Sequence, residues 1–102
     1  MKDKRTKKGQ GAHDRGVINW VKNMQSQGFE VKADLPGMKK PDSIHGKVPD
    51  GYAKKGKIEK MVEVETPETL KSDVDQRAKF RKWSGKNPNR TFSTKVIRKK
   101  GK

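Results

Sequence analysis

Alternation from Ile58 to Thr66 constrains this chain more than any other stretch. Entered by Gly51-Tyr52-Ala53 and turned by Lys54-Lys55-Gly56-Lys57, it reads as the return strand of a β-hairpin within Val48–Thr66. Side chains alternate across a strand, so Ile58, Val62 and Val64 share one face and Met61, Glu63 and Glu65 the other. Two carboxylates on one face, with Asp50 near the start of the partner strand, form a candidate cage for a divalent cation. The competing reading is the solvated face of an exposed edge strand.

Charge makes that pair of acids unusual. The chain of 102 residues has a formal net charge of +15, with 38% charged and 27% hydrophobic residues. Such a composition supports one small domain with a modest core and basic flexible tails at 1–11 and 98–102, leaving 12–97 as the folded unit. Residues 59–75 hold six acidic and two basic side chains, whereas 76–102 hold eleven basic and none acidic. A chain this basic favours a polyanionic partner, above all nucleic acid. An acidic island inside it would repel phosphates unless a bound cation reversed the local field. No cysteine is present, which excludes a disulfide scaffold and a Cys-ligated zinc site. No apolar run has the length of a signal peptide or membrane span, so the expectation is a soluble protein of the cytoplasm, in a prokaryotic or virus-infected cell.

Taken in order, Ala12 to Gln27 has a helical stripe at Val17, Val21 and Met24, with Asp14 as the expected N-cap and Gly28 as the stop. Phe29, Val31 and Ala33 alternate with polar residues, a strand signature that Leu35-Pro36-Gly37 ends. After the hairpin, Thr66-Pro67-Glu68 starts a second helix expected to run to about Ser84, its apolar row at Leu70, Val74 and Ala78, widened by Phe80 and Trp83 at the far end. A last strand spans Thr91 to Ile97. The expected fold is therefore α/β: a small αβββαβ core with a mixed sheet of about four strands and two helices, on one face or both.

That order, with Pro49-Asp50 opening one strand and Glu63-Val64-Glu65 closing the next, resembles the PD-(D/E)XK, restriction-endonuclease-like nuclease superfamily. Within it the layout is most similar to small Holliday junction resolvases and phage-type nucleases. The resemblance covers roughly Gly11 to Ile97. It implies Asp50 and Glu63 as metal ligands, with Glu65 standing where the family usually has lysine. Lys79, in the following helix, is the candidate for a displaced lysine, and His13 or Asp14 lies where related enzymes place a further acid. Gln76-Arg77-Ala78-Lys79-Phe80 resembles the family's QxxxY helix motif, with Phe80 in the tyrosine position.

The expected function is a metal-dependent nuclease acting on DNA, possibly branched or otherwise structured, with Mg²⁺ or Mn²⁺ held by Asp50, Glu63 and Glu65 and assisted by Lys79 and His13. Such a cation lowers the pKa of bound water and stabilises charge on the phosphorus. Gln76, Arg77, Lys82, Lys86, Arg90, Lys39 and Lys40 are the candidate nucleic-acid contacts. Pro41-Asp42 competes with Pro49-Asp50 for the motif role, His45 is a weaker candidate, and Trp20 and Trp83 are expected in the core. The alternative is a non-catalytic basic nucleic-acid-binding protein on a nuclease-like or ribosomal-type fold. A homodimer is implied by the resemblance alone.

Overall fold

The computed structural model describes residues 7–97. The elements run α1 (Lys7–Ser26), β1 (Glu30–Ala33), β2 (Gly51–Lys55), β3 (Ile58–Glu65), α2 (Pro67–Ser72), α3 (Val74–Gly85) and β4 (Arg90–Val96). The sheet has the order β1-β2-β3-β4. The first three strands are antiparallel to their neighbours, and β4 lies parallel to β3. A parallel neighbour requires a crossover, here supplied by α2 and α3. The expected α/β class with a mixed four-stranded sheet is what forms.

One helix covers each face. On one side, Val17 and Val21 of α1 pack on Ala33 and Val64, and Met24 packs with Phe29 and Ala53. On the other, Phe80 and Trp83 of α3 pack on Met61, with Tyr52 and Phe92 alongside. Strand alternation assigns these sets to opposite faces. With helices on both sides, β3 is buried throughout Met61 to Glu65. Two close approaches set the fit of α1. A Cβ on Gly51 would lie 2.6 Å from the Trp20 ring, and one on Gly16 would lie 2.9 Å from Val64.

The structure differs from the sequence reading in three places. Helix α1 begins at Lys7, so His13 and Asp14 lie within it and Asp14 is not its cap; residues 7–11 belong to this helix, while the remainder of both expected tails lies outside the described residues. The hairpin turn is shorter than read, because β2 continues through Lys55 and leaves only Gly56-Lys57 as a two-residue loop, with Gly56 at φ +59°. That geometry matches the twist of the paired strands better than a four-residue loop. The second helix is broken at Asp73, and only the far end of its expected apolar face is buried: Phe80 and Trp83 are buried as expected, while Val74 is 55% exposed and Ala78 is exposed. The inward positions of the first turn of α3 are instead polar, Gln76 and Arg77, because they meet carboxylates of β3. No helix among the described residues is long and apolar enough to cross a membrane.

Candidate metal centre

The centre lies where β2 and β3 part company. Strand β2 begins at Gly51, but β3 continues three residues beyond its last partner in that strand, Val62. Asp50 fills the gap with its own groups. Its carboxylate Oδ2 accepts the Val64 N–H at 2.8 Å, and its backbone N–H donates to Glu63 Oε2 at 2.9 Å. From the α1 side, His13 Nε2 stands 3.2 Å from the same Asp50 oxygen, and its Nδ1 stands 3.5 Å from Asp14. From the α3 side, Gln76 Nε2 donates to Glu63 Oε1 at 2.6 Å. Asp50, Glu63, His13 and Gln76 thus converge from three elements on one spot.

Glu65, two residues further along the same face, has different company. Arg77 Nη1 is 3.6 Å from its Oε2, too long for a hydrogen bond, and that oxygen is buried with no hydrogen-bond partner. Arg77 is anchored elsewhere, its Nη2 donating to the Leu70 carbonyl at 2.8 Å. Asp73, at the break between α2 and α3, completes a group with Glu63 and Glu65 in which one oxygen of each lies within 4.8 Å of the others. The carboxylate of Asp73 caps no backbone N–H of α3, so the break leaves it available to this group.

Burial makes these carboxylates poor anions. Glu63 and Glu65 are 2% and 1% exposed, so they are not the solvated face of an edge strand. Desolvation pushes Glu63 up to about 8, with the neighbouring Asp50 charge adding to it, against the hydrogen bonds from the Asp50 N–H and Gln76. Desolvation likewise pushes Glu65 up to about 7; the Thr69 hydrogen bond opposes this, the Asp73 charge adds to it and Arg77 opposes it. Buried carboxylates this close require protons or a cation. The donor set is all oxygen apart from one imidazole, which suits a hard divalent ion such as Mg²⁺ or Mn²⁺, and the orphaned Glu65 oxygen is a ready ligand atom.

Other sequence candidates fall elsewhere. Asp42 is exposed and lines a groove with Tyr52 and Met61, whereas Asp50 donates its N–H to Glu63 and takes the position beside it. His45 sits in the turn closed by the Ile44–Lys47 bridge, exposed and at φ +52°. Lys79 is half-buried and makes no hydrogen bond or ion pair to the carboxylates among the described residues. Gln76 and Arg77 face the carboxylates rather than solvent. Lys82 and Lys86 are exposed, Lys40 is 4.0 Å from Asp34, and Arg90 pairs with Glu59 at 3.2 Å while lying over Trp83. Trp83 is core, as expected, and Trp20 is half-buried against Gly51. Asp73 escaped the sequence reading. Its only signal is Ser72-Asp73, a pair with capping chemistry in mid-helix. Comparison of the chain with protein-family models, with curated proteins and with solved structures finds no match to any of them.

Proposed function

We propose that this chain is a divalent-metal-dependent nuclease that hydrolyses phosphodiester bonds of DNA. One observation carries the reading: in a chain of net charge +15, the almost fully buried Glu63 and Glu65 lie with Asp73 so that one oxygen of each is within 4.8 Å of the others, and Glu63 is tied to Asp50 at the split between β2 and β3. Asp50 and Glu63 accept the Val64 and Asp50 N–H groups, but Glu65 buries an oxygen with no hydrogen-bond partner, where an apolar side chain of similar size would be easier to bury. Asp50, Glu63 and Glu65 would hold Mg²⁺ or Mn²⁺, which when bound supplies an acidified water and charge neutralisation at phosphorus.

The chain's own groups have definable parts. Gln76 fixes the Glu63 carboxylate by its hydrogen bond to Oε1 and so presents the other oxygen toward Asp50. His13 holds Asp50 from the opposite face of the sheet. Arg77 brings a guanidinium to the same site, 3.6 Å from Glu65, where it offsets that carboxylate's charge. The test is nicking of supercoiled plasmid and of branched DNA with Mg²⁺ or Mn²⁺. Activity that chelation removes and Asp50→Ala abolishes, with the circular dichroism spectrum unchanged, supports the reading. Undiminished activity in Asp50→Ala sinks it.

A second reading has its own observation. Both oxygens of Glu63 already accept hydrogen bonds, from the Asp50 N–H and from Gln76, which suits a nucleic-acid-binding protein that needs no metal at this carboxylate. It expects salt-sensitive binding indifferent to Mg²⁺ and to Glu63→Gln.

A further inference from the structure

The face of the sheet that carries Glu63 is only half covered. Along this face the side chains form rows across the strands. Lys32, Tyr52, Met61 and Phe92 make one row, and Glu30, Lys54, Glu59 and Arg90 the next toward the hairpin turn. Helix α3 lies over the β3 and β4 ends of these rows, with Phe80 and Phe92 rings 5.6 Å apart and Trp83 edge-on to Tyr52 at 6.3 Å. The β1 and β2 ends stay open. There the segment through Lys39, Asp42 and Ile44 forms the opposite wall of a groove of about 600 Å³. That is the size range of pockets that bury a ligand of one or two nucleotides' bulk.

We infer that this groove binds a single-stranded segment of nucleic acid leading to the carboxylate site; the inference rests on the proposed nuclease reading for what lies at its far end. Three features select that occupant. First, the floor is continuous with the site, since Met61 and Tyr52 adjoin Glu63 and Asp50 by one two-residue step along β3 and β2. Second, the floor offers one aromatic ring for a base to stack on, the half-buried Tyr52, braced edge-on by the buried Trp83 that Arg90 covers at 4.6 Å.

Third, the charge fits a phosphate chain. Glu59 is already engaged by the Tyr52 hydroxyl at 2.7 Å and by Arg90 at 3.2 Å. That leaves Lys32, Lys39 and Lys54 against Glu30 and Asp42 in the lining, and Lys57 exposed at the hairpin tip beyond. A duplex is too broad for a concave cleft between a loop and a helix, whereas an unstacked strand can lay bases on the floor and phosphates along the lysine rim.

The test uses the full chain in excess EDTA and a labelled oligodeoxythymidine of about 10 residues, with an oligouridine and a duplex of equal length as further arms. Fluorescence anisotropy should show either single strand binding more tightly than the duplex. Lys32→Glu with Lys54→Glu should weaken it about tenfold or more at fixed salt. Should the double variant fail to fold, Lys54→Glu alone, at an exposed position, carries the same test. A strand bearing 5-iodouracil should photo-crosslink to Tyr52. Unchanged affinity in the lysine variants, a duplex bound as tightly as the single strand, or crosslinks confined to residues outside the groove would overturn the inference. Mn²⁺ binding followed by electron paramagnetic resonance separates the two readings. The lysine variants should keep it, whereas Glu63→Gln should lose it and still bind the strand. Loss of strand binding in the lysine variants with Mn²⁺ retained there supports the groove; Mn²⁺ retained in Glu63→Gln with strand binding intact sinks the metal centre and leaves the groove standing.

Discussion

Glu63 accepts hydrogen bonds on both oxygens, from the Asp50 N–H and from Gln76, yet remains hard to ionise because almost no solvent reaches it. Its folded pKa, about 8, is above the ordinary 4.5, and Glu65 follows in the same direction. The sign of the linkage is then fixed. Below about pH 4.5 both states are protonated and the folded protein keeps its full stability. As pH rises toward the folded value the unfolded chain releases the proton first, so stability falls until about pH 8 and then levels. In urea melts with EDTA, the chain should lose on the order of a few kcal/mol between pH 5 and pH 9. Glu63→Gln should flatten that slope, and saturating Mg²⁺ should recover stability at the alkaline end. A second residue-scale expectation concerns Gly51, beside Asp50. Its missing side chain admits the Trp20 ring, and Val62 is 3.0 Å from the same position, so neither neighbour has room to retreat. Gly51→Ala should cost about 1–3 kcal/mol by overpacking, read as a lowered urea midpoint with an unchanged slope.

Among the elements, α2 is the least self-sufficient. It has six residues and buries none of them, so its hold comes from its start. The Thr66 hydroxyl accepts the Thr69 N–H at 3.2 Å while the Thr69 hydroxyl accepts the Thr66 N–H at 2.8 Å, a reciprocal capping box with Pro67 behind it. Thr66→Ala should cost about 1 kcal/mol and raise amide exchange at Leu70 to Asp73 before any other helix. This start was legible in the sequence because capping chemistry is local. The α1 stripe and the alternation of β3 were legible for the same reason: each is a period imposed by a single face of core. The inward face of the first turn of α3 was not, because Gln76 and Arg77 are inward for the sake of partners thirteen and twelve residues earlier, and no helical period announces that. The convergence on Asp50 was half visible. Sequence supplied the three carboxylates and the histidine, but the α1 register that brings His13 to Asp50, and the Asp73 break, are products of tertiary packing.

At the scale of the whole molecule, the sheet joins local and distant pieces. Strands β2 and β3 meet through a two-residue turn, whereas β4 reaches β3 only after the α2–α3 crossover, its first residue Arg90 opposite Glu59. Short-range pairings close sooner than long-range ones because less chain entropy is lost in bringing them together. The hairpin should therefore form before the crossover docks, and with it the Asp50–Glu63 contact. At that moment the two acids face each other without Gln76, which arrives with α3. The parting of β2 and β3, described above as the seat of a site, then becomes a checkpoint in the folding reaction, passed more easily with a proton or a cation between the strands. Stopped-flow refolding of the metal-free chain, followed by Trp20 and Trp83 fluorescence, should be faster at pH 5 than at pH 8. Glu63→Gln should remove most of that difference, and Mg²⁺ in the refolding buffer should remove it without any change of sequence. The acids of the proposed metal centre would thus also set the pace at which the chain becomes a protein.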